Sequence, residues 1–295
     1  MKLLFYSAIL SVFLFTSCKE KDKEPSGPAS VKRDSTEIST TVCGKGDTTL
    51  LFIHGWCINK TYWEGQAKHF CDRYKVVTVD LPGFGESGKN RAAWNFENYT
   101  SDINAVIEQM QLKNVVLIGH SMSGDIILSM SVHHPENIAG IIGIDNLHEP
   151  GGPMPEEQQK QMAGFFSLLQ QSFDSMANVS MRSILFQPAT DSTVVNRVMN
   201  NIYNADSSIA IEVLRSYTNV SGQEKQVMPQ LNHKLYLINS DVFPVKADSL
   251  NKYCRHGFSL QTVHATGHYP MIEKPDEFNA ALEKTLALIS QDKKN

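Results

Sequence analysis

The chain has 295 residues, 41% of them hydrophobic and 20% charged, an ordinary globular composition. That excludes collagen, coiled-coil and low-complexity classes, and at this length one large domain can bury a full core without metals or disulfide staples. Lys plus Arg number 27 against 31 Asp plus Glu, a formal net charge of −4, so no basic field exists to hold a phosphate backbone and nucleic acid is not an expected partner.

At the N-terminus Lys2 precedes an apolar run from Leu3 to Phe15, followed by Thr16-Ser17-Cys18. As a helix such a run rises about 20 Å, too short for a bilayer core of about 30 Å, so residues 1–17 read as a secretory signal peptide and not a span. The Phe15-Thr16-Ser17-Cys18 block resembles the lipobox of bacterial lipoproteins, with Phe15 in place of the usual Leu. The resemblance implies lipid attachment at Cys18 and a bacterial envelope protein, periplasmic or surface-facing, that touches the membrane through this anchor only. Residues 18–35 then read KEKDKEPSGPASVKRDS after the cysteine, polar and rich in Pro, Gly and Ser, which predicts a solvated tether. Cys43, Cys57, Cys71 and Cys254 remain; their spacings match no zinc signature, and one disulfide or buried free thiols are both open.

Beyond the tether, Thr49–Ile53, Lys75–Val79, Asn114–Ile118, Ala139–Ile144 and Leu235–Ile238 are short apolar, β-branched runs. Continuous apolar runs, as opposed to strict alternation, predict strands buried on both faces of a parallel sheet. Between and after them Ile103, Val106, Ile107 and Met110, and later Phe278, Leu282, Leu286 and Ile289, recur at helical spacing, the second set opened by Pro275-Asp276. The alternation predicts an α/β class with a doubly wound, mostly parallel sheet. Its core is expected over 36–145 and 233–295. Residues 146–232 begin with Pro150-Gly151-Gly152-Pro153 and carry apolar positions only in helical surroundings, which predicts a helical lid inserted before a late strand.

At the end of the third run stands Gly119-His120-Ser121-Met122-Ser123-Gly124, leading into the apolar Ile126-Ile127-Leu128. A serine on a strand-to-helix turn needs a strained backbone and small neighbours, and the turn exposes its hydroxyl at a helix N-terminus. Here the chain resembles the α/β-hydrolases, whose elbow is G-x-S-x-G; Ser123 occupies the last Gly position. Three further blocks resemble the same family in the same order: His54-Gly55-Trp56, Asp80-Leu81-Pro82-Gly83-Phe84-Gly85-Glu86-Ser87, and Gly267-His268-Tyr269-Pro270. Together they span roughly residues 45 to 290, the whole domain after the tether.

A serine hydroxyl needs a base, and an imidazole suits that task. The resemblance assigns Ser121 as nucleophile and His268 as base, with oxyanion-hole N–H groups on Trp56 and Met122. A carboxylate between them in chain order must hold the imidazole tautomer. Asp241, just after the last strand run, is the expected acid; Asp145, ending the strand before it, is the runner-up and Asp248 the third. Among the 10 histidines, His120 is expected to pack beside the nucleophile and His54 to order its own loop. His133, His134, His148, His233, His256 and His264 carry no motif context.

Serine at the elbow, where dehalogenases and epoxide hydrolases of this fold carry Asp, disfavours those chemistries. The resemblance then implies cofactor-free and metal-free hydrolysis of a small-molecule carboxylic ester or related acyl compound through an acyl-enzyme. The alternatives are amide, lactone or carbon–carbon hydrolysis, or a non-catalytic binding protein. Aminopeptidase activity would call on a lid carboxylate, with Glu149, Glu156 and Glu157 as candidates. Trp56, Cys57, Phe165 and Phe166 are candidates for the acyl-pocket wall, although aromatic residues at helical spacing are more often core.

Overall fold

In the computed structural model of the chain, residues 27–293 are described, so the signal segment, Cys18 and residues 18–26 of the tether lie outside them. Eight strands form one sheet: β1 Gly27–Arg33, β2 Thr36–Cys43, β3 Thr49–Ile53, β4 Lys75–Val79, β5 Val115–His120, β6 Ile138–Ile144, β7 Leu235–Ser240 and β8 Phe258–Val263. They lie in the order β1-β2-β4-β3-β5-β6-β7-β8. The first two pairings, β1 with β2 and β2 with β4, are antiparallel, and every later pairing is parallel.

The continuous apolar runs become the central strands because each of their residues is buried: β3, β5, β6 and β7 show no exposed position. Helices cover both faces. They are α1 Glu64–Phe70, α2 Phe96–Gln109, α3 Ser123–His133, α10 Ala247–Tyr253, α11 Pro270–Glu273 and α12 Pro275–Asp292, with α4 to α9 between β6 and β7. In the core beneath α1 and α12, Trp63 packs on Phe52 at 5.0 Å and Phe278 at 6.3 Å between ring centroids. A disulfide joins Cys43 at the end of β2 to Cys71 behind α1, while Cys57 and Cys254 are free and buried.

Residues 27–35 correct the tether expectation, for they form β1 and its turn into β2. An edge strand needs few core contacts, and β1 buries only Val31. It is held by its ladder to β2, by Arg33 Nη1 on Asp102 Oδ1 at 2.9 Å and by Gln109 Nε2 donating to the Lys32 carbonyl at 2.8 Å. Hydrophobic periodicity cannot reveal a strand held in that way.

Between Ile144 and Leu235 the described chain is helical: α4 Glu156–Gln171, α5 Phe173–Met176, a π turn over Ala177–Met181, α6 Arg182–Leu185, α7 Ser192–Asn204, α8 Ser207–Ser221 and α9 Glu224–Val227. The helices of this insertion begin on side-chain caps where the sequence supplies them, Asp191 for α7 and Asp206 for α8. In the sheet, β3 leads to β4 on one side while β5 lies on the other, so the loops leaving β3 and β5 diverge there. In an open parallel sheet such a switch point forms a crevice at the carboxyl ends of the strands.

Candidate active site

The ends of β3, β5 and β6, with the end of β7 and the loop after β8, supply the polar residues of that crevice. From β5 the chain turns into α3 at Ser121, whose φ of 54° lies in the left-handed region that a side chain normally avoids. The turn is pinned by Ser121 N–H donating to the Ile144 carbonyl at 2.9 Å and by Asn146 Nδ2 donating to the Gly119 and Ser121 carbonyls at 2.8 and 3.0 Å. Small residues are required where the chain doubles back. A Cβ on Gly119 would lie 2.4 Å from the Ser123 carbonyl oxygen, and one on Gly124 would lie 2.6 Å from Asn146 Nδ2. Ser123, in the place of the family's last glycine, is fully buried, and its Oγ donates to the His54 carbonyl at 2.5 Å. The departure from the motif therefore ties the elbow to the loop after β3.

That loop carries His54, Gly55 and Trp56. Leu81 N–H donates to His54 Nε2 at 2.9 Å, which leaves the ring proton on Nδ1, facing the Gly55 carbonyl at 2.7 Å. Burial lowers the basicity of this imidazole, consistent with a neutral ring that orders its loop. A Cβ on Gly55 would meet His120 Nδ1 at 2.6 Å and Ser121 Cβ at 3.0 Å, so only glycine lets the loop approach the elbow this closely. Trp56 Nε1 donates to the Ala210 carbonyl of α8 at 2.8 Å.

The carboxylate that meets His268 is where the structure departs from expectation. Asp145, immediately after β6, has a φ of 46° and its N–H donates to the Ile238 carbonyl of β7 at 3.1 Å. Its Oδ2 accepts from His268 Nδ1 at 2.6 Å, and its Oδ1 accepts from Ser240 N–H at 2.8 Å. Asp241 does not reach His268. Its carboxylate accepts from His264 Nδ1 at 3.1 Å and from Ala265 N–H at 3.1 Å, and its side chain is 43% exposed against 0% for Asp145. The physical reason is that β7 continues through Ser240 and offers the Ser240 N–H to Asp145, so Asp241 leaves the sheet one residue later and turns outward. Asp248, in the first turn of α10, is exposed.

Burial opposes ionisation of Asp145, but the nearby His148 imidazole, the hydrogen bond and charge of His268 and the Ser240 N–H outweigh it and hold the carboxyl well below the ordinary range. His268 itself is fixed through its backbone: its N–H donates to the Leu185 carbonyl of α6 at 2.8 Å and its carbonyl accepts from His120 Nε2 at 2.8 Å. With Nδ1 taken by Asp145, Nε2 is the ring nitrogen left for a reacting group. Burial, then the neighbouring His268, push His120 down to about 3, so it packs at 4.8 Å from His268 as a neutral ring.

Ser121, His268, Asp145, Trp56 and Met122 all line one cavity of about 590 Å³, whose remaining wall is largely apolar and comes in good part from the insertion: Met181, Ile184, Leu185 and Leu214, with Leu147 from the loop leaving β6 and Phe243 from the loop leaving β7. The candidates Cys57, Phe165 and Phe166 are not among its lining residues; Phe166 packs beneath Arg215 at 5.0 Å instead. Of the three candidate carboxylates Glu149 lines the cavity, whereas Glu156 and Glu157 stand exposed in the first turn of α4.

Two titratable lining residues were given no role by the sequence reading. His148 brings Nε2 to 3.7 Å from Asp145 Oδ1, ion-pair range but long for a hydrogen bond. Glu224 is buried, accepts from Gly151 N–H at 2.5 Å and pairs with the buried Asp125 of α3; burial raises it to about 7. The Asp-x-x-His spacing after β6 was the available signal for the first, and nothing local marks the second. Among the described residues no group of three or more His, Cys, Asp or Glu side chains is arranged to hold a metal ion.

Residues 48–237 match the family model described as the alpha/beta hydrolase fold. The chain belongs to that family. Among curated proteins it is 23% identical over 252 residues to the Karrikin insensitive 2 receptor CA of Petunia hybrida, covering 80% of this chain and 90% of the relative. It is 24% identical over 266 residues to the pimeloyl-[acyl-carrier protein] methyl ester esterase of Edwardsiella ictaluri, covering 81% and 93%. Among solved structures, a thermophilic esterase from Thermogutta terrifontis superposes with a TM-score of 0.76 at 17% identity, covering 89% of this chain and 98% of that one. That last likeness is one of fold.

Proposed function

We propose that this α/β-hydrolase cleaves a carboxylic ester or related acyl compound by a serine mechanism with Ser121 as nucleophile, His268 as base and Asp145 as acid. The 2.6 Å contact between Asp145 and His268, beside a strained serine in the same cavity, carries the reading. Asp145 holds the proton on Nδ1 and favours the imidazolium that forms when Nε2 takes the Ser121 proton. Oγ attacks the acyl carbon, and the N–H groups of Trp56 and Met122 receive the charge that builds on the carbonyl oxygen; losing one such donor typically costs about 2.7–4 kcal/mol. His268 returns the proton to the departing alcohol, and water, deprotonated by the same ring, then releases the acid and restores Ser121.

The cavity wall favours an uncharged, apolar acyl group, since its lining holds carboxylates and imidazoles but neither Lys nor Arg. The insertion acts as the lid of this cavity. The Cys43–Cys71 disulfide supports an oxidising compartment, consistent with export and with lipid attachment at Cys18. The second reading is a ligand-binding protein, favoured by the likeness to a relative named as a receptor. A panel of p-nitrophenyl esters of graded acyl length, set against aminoacyl anilides and lactones, tests the proposal, with Ser121→Ala as control. Turnover of esters that vanishes in the variant supports it. Absence of turnover together with no Ser121 labelling by a fluorophosphonate leaves the binding protein.

A further inference from the structure

The proposed mechanism uses one imidazole on Asp145, yet the carboxylate lies between two. Oδ2 meets His268 at 2.6 Å, and Oδ1 faces His148 Nε2 at 3.7 Å. Oδ1 already accepts from Ser240 N–H at 2.8 Å, so the carboxylate does not need His148 to satisfy its hydrogen bonding. Nor does Nε2 of His148 find a partner elsewhere: it is buried without a hydrogen bond. The ring is nonetheless held in place. The His148 carbonyl accepts from Lys246 N–H at 2.7 Å, and the imidazole packs edge-on against Phe243 with centroids 5.7 Å apart.

From this arrangement we infer that His148 is a positioning residue for the base, acting through the shared charge of Asp145. The inference rests on the serine-hydrolase reading above. When His148 is neutral, the Asp145 charge is left to His268. When His148 takes a proton, one carboxylate serves two cations a few ångströms apart, and an imidazolium on His268 becomes harder to form. Besides Asp145 from the end of β6 and His268 from the loop after β8, the titratable groups lining the cavity with His148 are Glu149, His120, Tyr217, Glu224 and Tyr269. Lys246 touches it only through its backbone N–H, with its side chain exposed. Phe243 and Ser240, from the β7 side, are uncharged.

His148→Gln keeps the size and polarity and removes the second titration. The full chain and the variant are compared by the pH dependence of kcat/KM on the best ester, and by proton NMR of the strongly downfield resonance of the His268 Nδ1–H held by Asp145. The expected result is an acid limb displaced to higher pH in the variant by on the order of one pH unit. In the NMR titration the wild-type resonance moves in two steps and the variant resonance in one. His148→Phe repeats both readings if the Gln variant folds poorly. A one-step titration in both proteins overturns the inference, as does an unmoved acid limb. Should no ester be turned over, the NMR arm still decides the coupling between the two imidazoles, independently of the hydrolase reading.

Discussion

Asp145→Asn is the substitution that bears most directly on the proposed catalyst. The amide can leave its Oδ1 on Ser240 N–H, which keeps the strand-end geometry at 2.8 Å, but it then presents an NH2 to His268 Nδ1 where Oδ2 stood at 2.6 Å. Facing a donor, Nδ1 must accept, so the ring proton moves to Nε2 and the base can no longer take a proton from Ser121. A wrong tautomer of this kind costs about 10⁴ in kcat, equivalent to about 5 kcal/mol of barrier. Asp241→Asn removes a largely exposed contact with His264 and Ala265 N–H, worth under about 1 kcal/mol, and should change kcat less than about fivefold. Steady-state hydrolysis of one p-nitrophenyl ester measures both variants, with thermal unfolding to confirm that each is folded. If Asp145→Asn keeps activity within tenfold of wild type while Asp241→Asn collapses it, the acid belongs to β7 and the site described here is assembled wrongly.

Three further outcomes follow from the same structure. Glu224 rises from an ordinary 4.5 to about 7 through burial, so the stability tied to its protonated form is full below pH 4.5 and lost as pH climbs through 7, a total of about 3 kcal/mol. Urea unfolding at pH 5 and pH 8.5 should show Glu224→Gln gaining on wild type only at the higher pH; an equal difference at both would refute this. Gly55→Ala should abolish hydrolysis while leaving the secondary structure seen by circular dichroism intact, since the added methyl collides with His120 and Ser121 and not with the sheet. Replacing Cys43 and Cys71 with serine opens a link spanning 28 residues and should lower unfolding free energy by about 3–4 kcal/mol in non-reducing buffer.

What the sequence made legible was the part fixed by continuous burial. Thr49–Ile53 and Lys75–Val79 coincide with β3 and β4, because strands covered on both faces have no choice but to be apolar throughout. The elbow was legible too, since its small residues answer local steric demands at Gly119 and Gly124. Edge strands β1 and β8 went unseen: both leave most positions partly exposed, and pairing holds them more than burial does. Which carboxylate meets His268 was not legible, for a different reason. Asp145 and Asp241 each follow a buried strand, and what separates them is whether β7 runs on to Ser240, a matter of register between strands that no local pattern encodes.

The insertion holds two groups that the chemistry would need. Ala210 of α8 receives the Trp56 indole, and Leu185 of α6 receives the His268 backbone N–H. A helical cover that swung away to admit a molecule would therefore slacken the ring and the loop beneath it in the same motion. Under the proposed function, entry and reactivity would then be mechanically alternate states: with the door open the machinery would be unassembled, and bulk water reaching Ser121 would find no tuned base waiting for it.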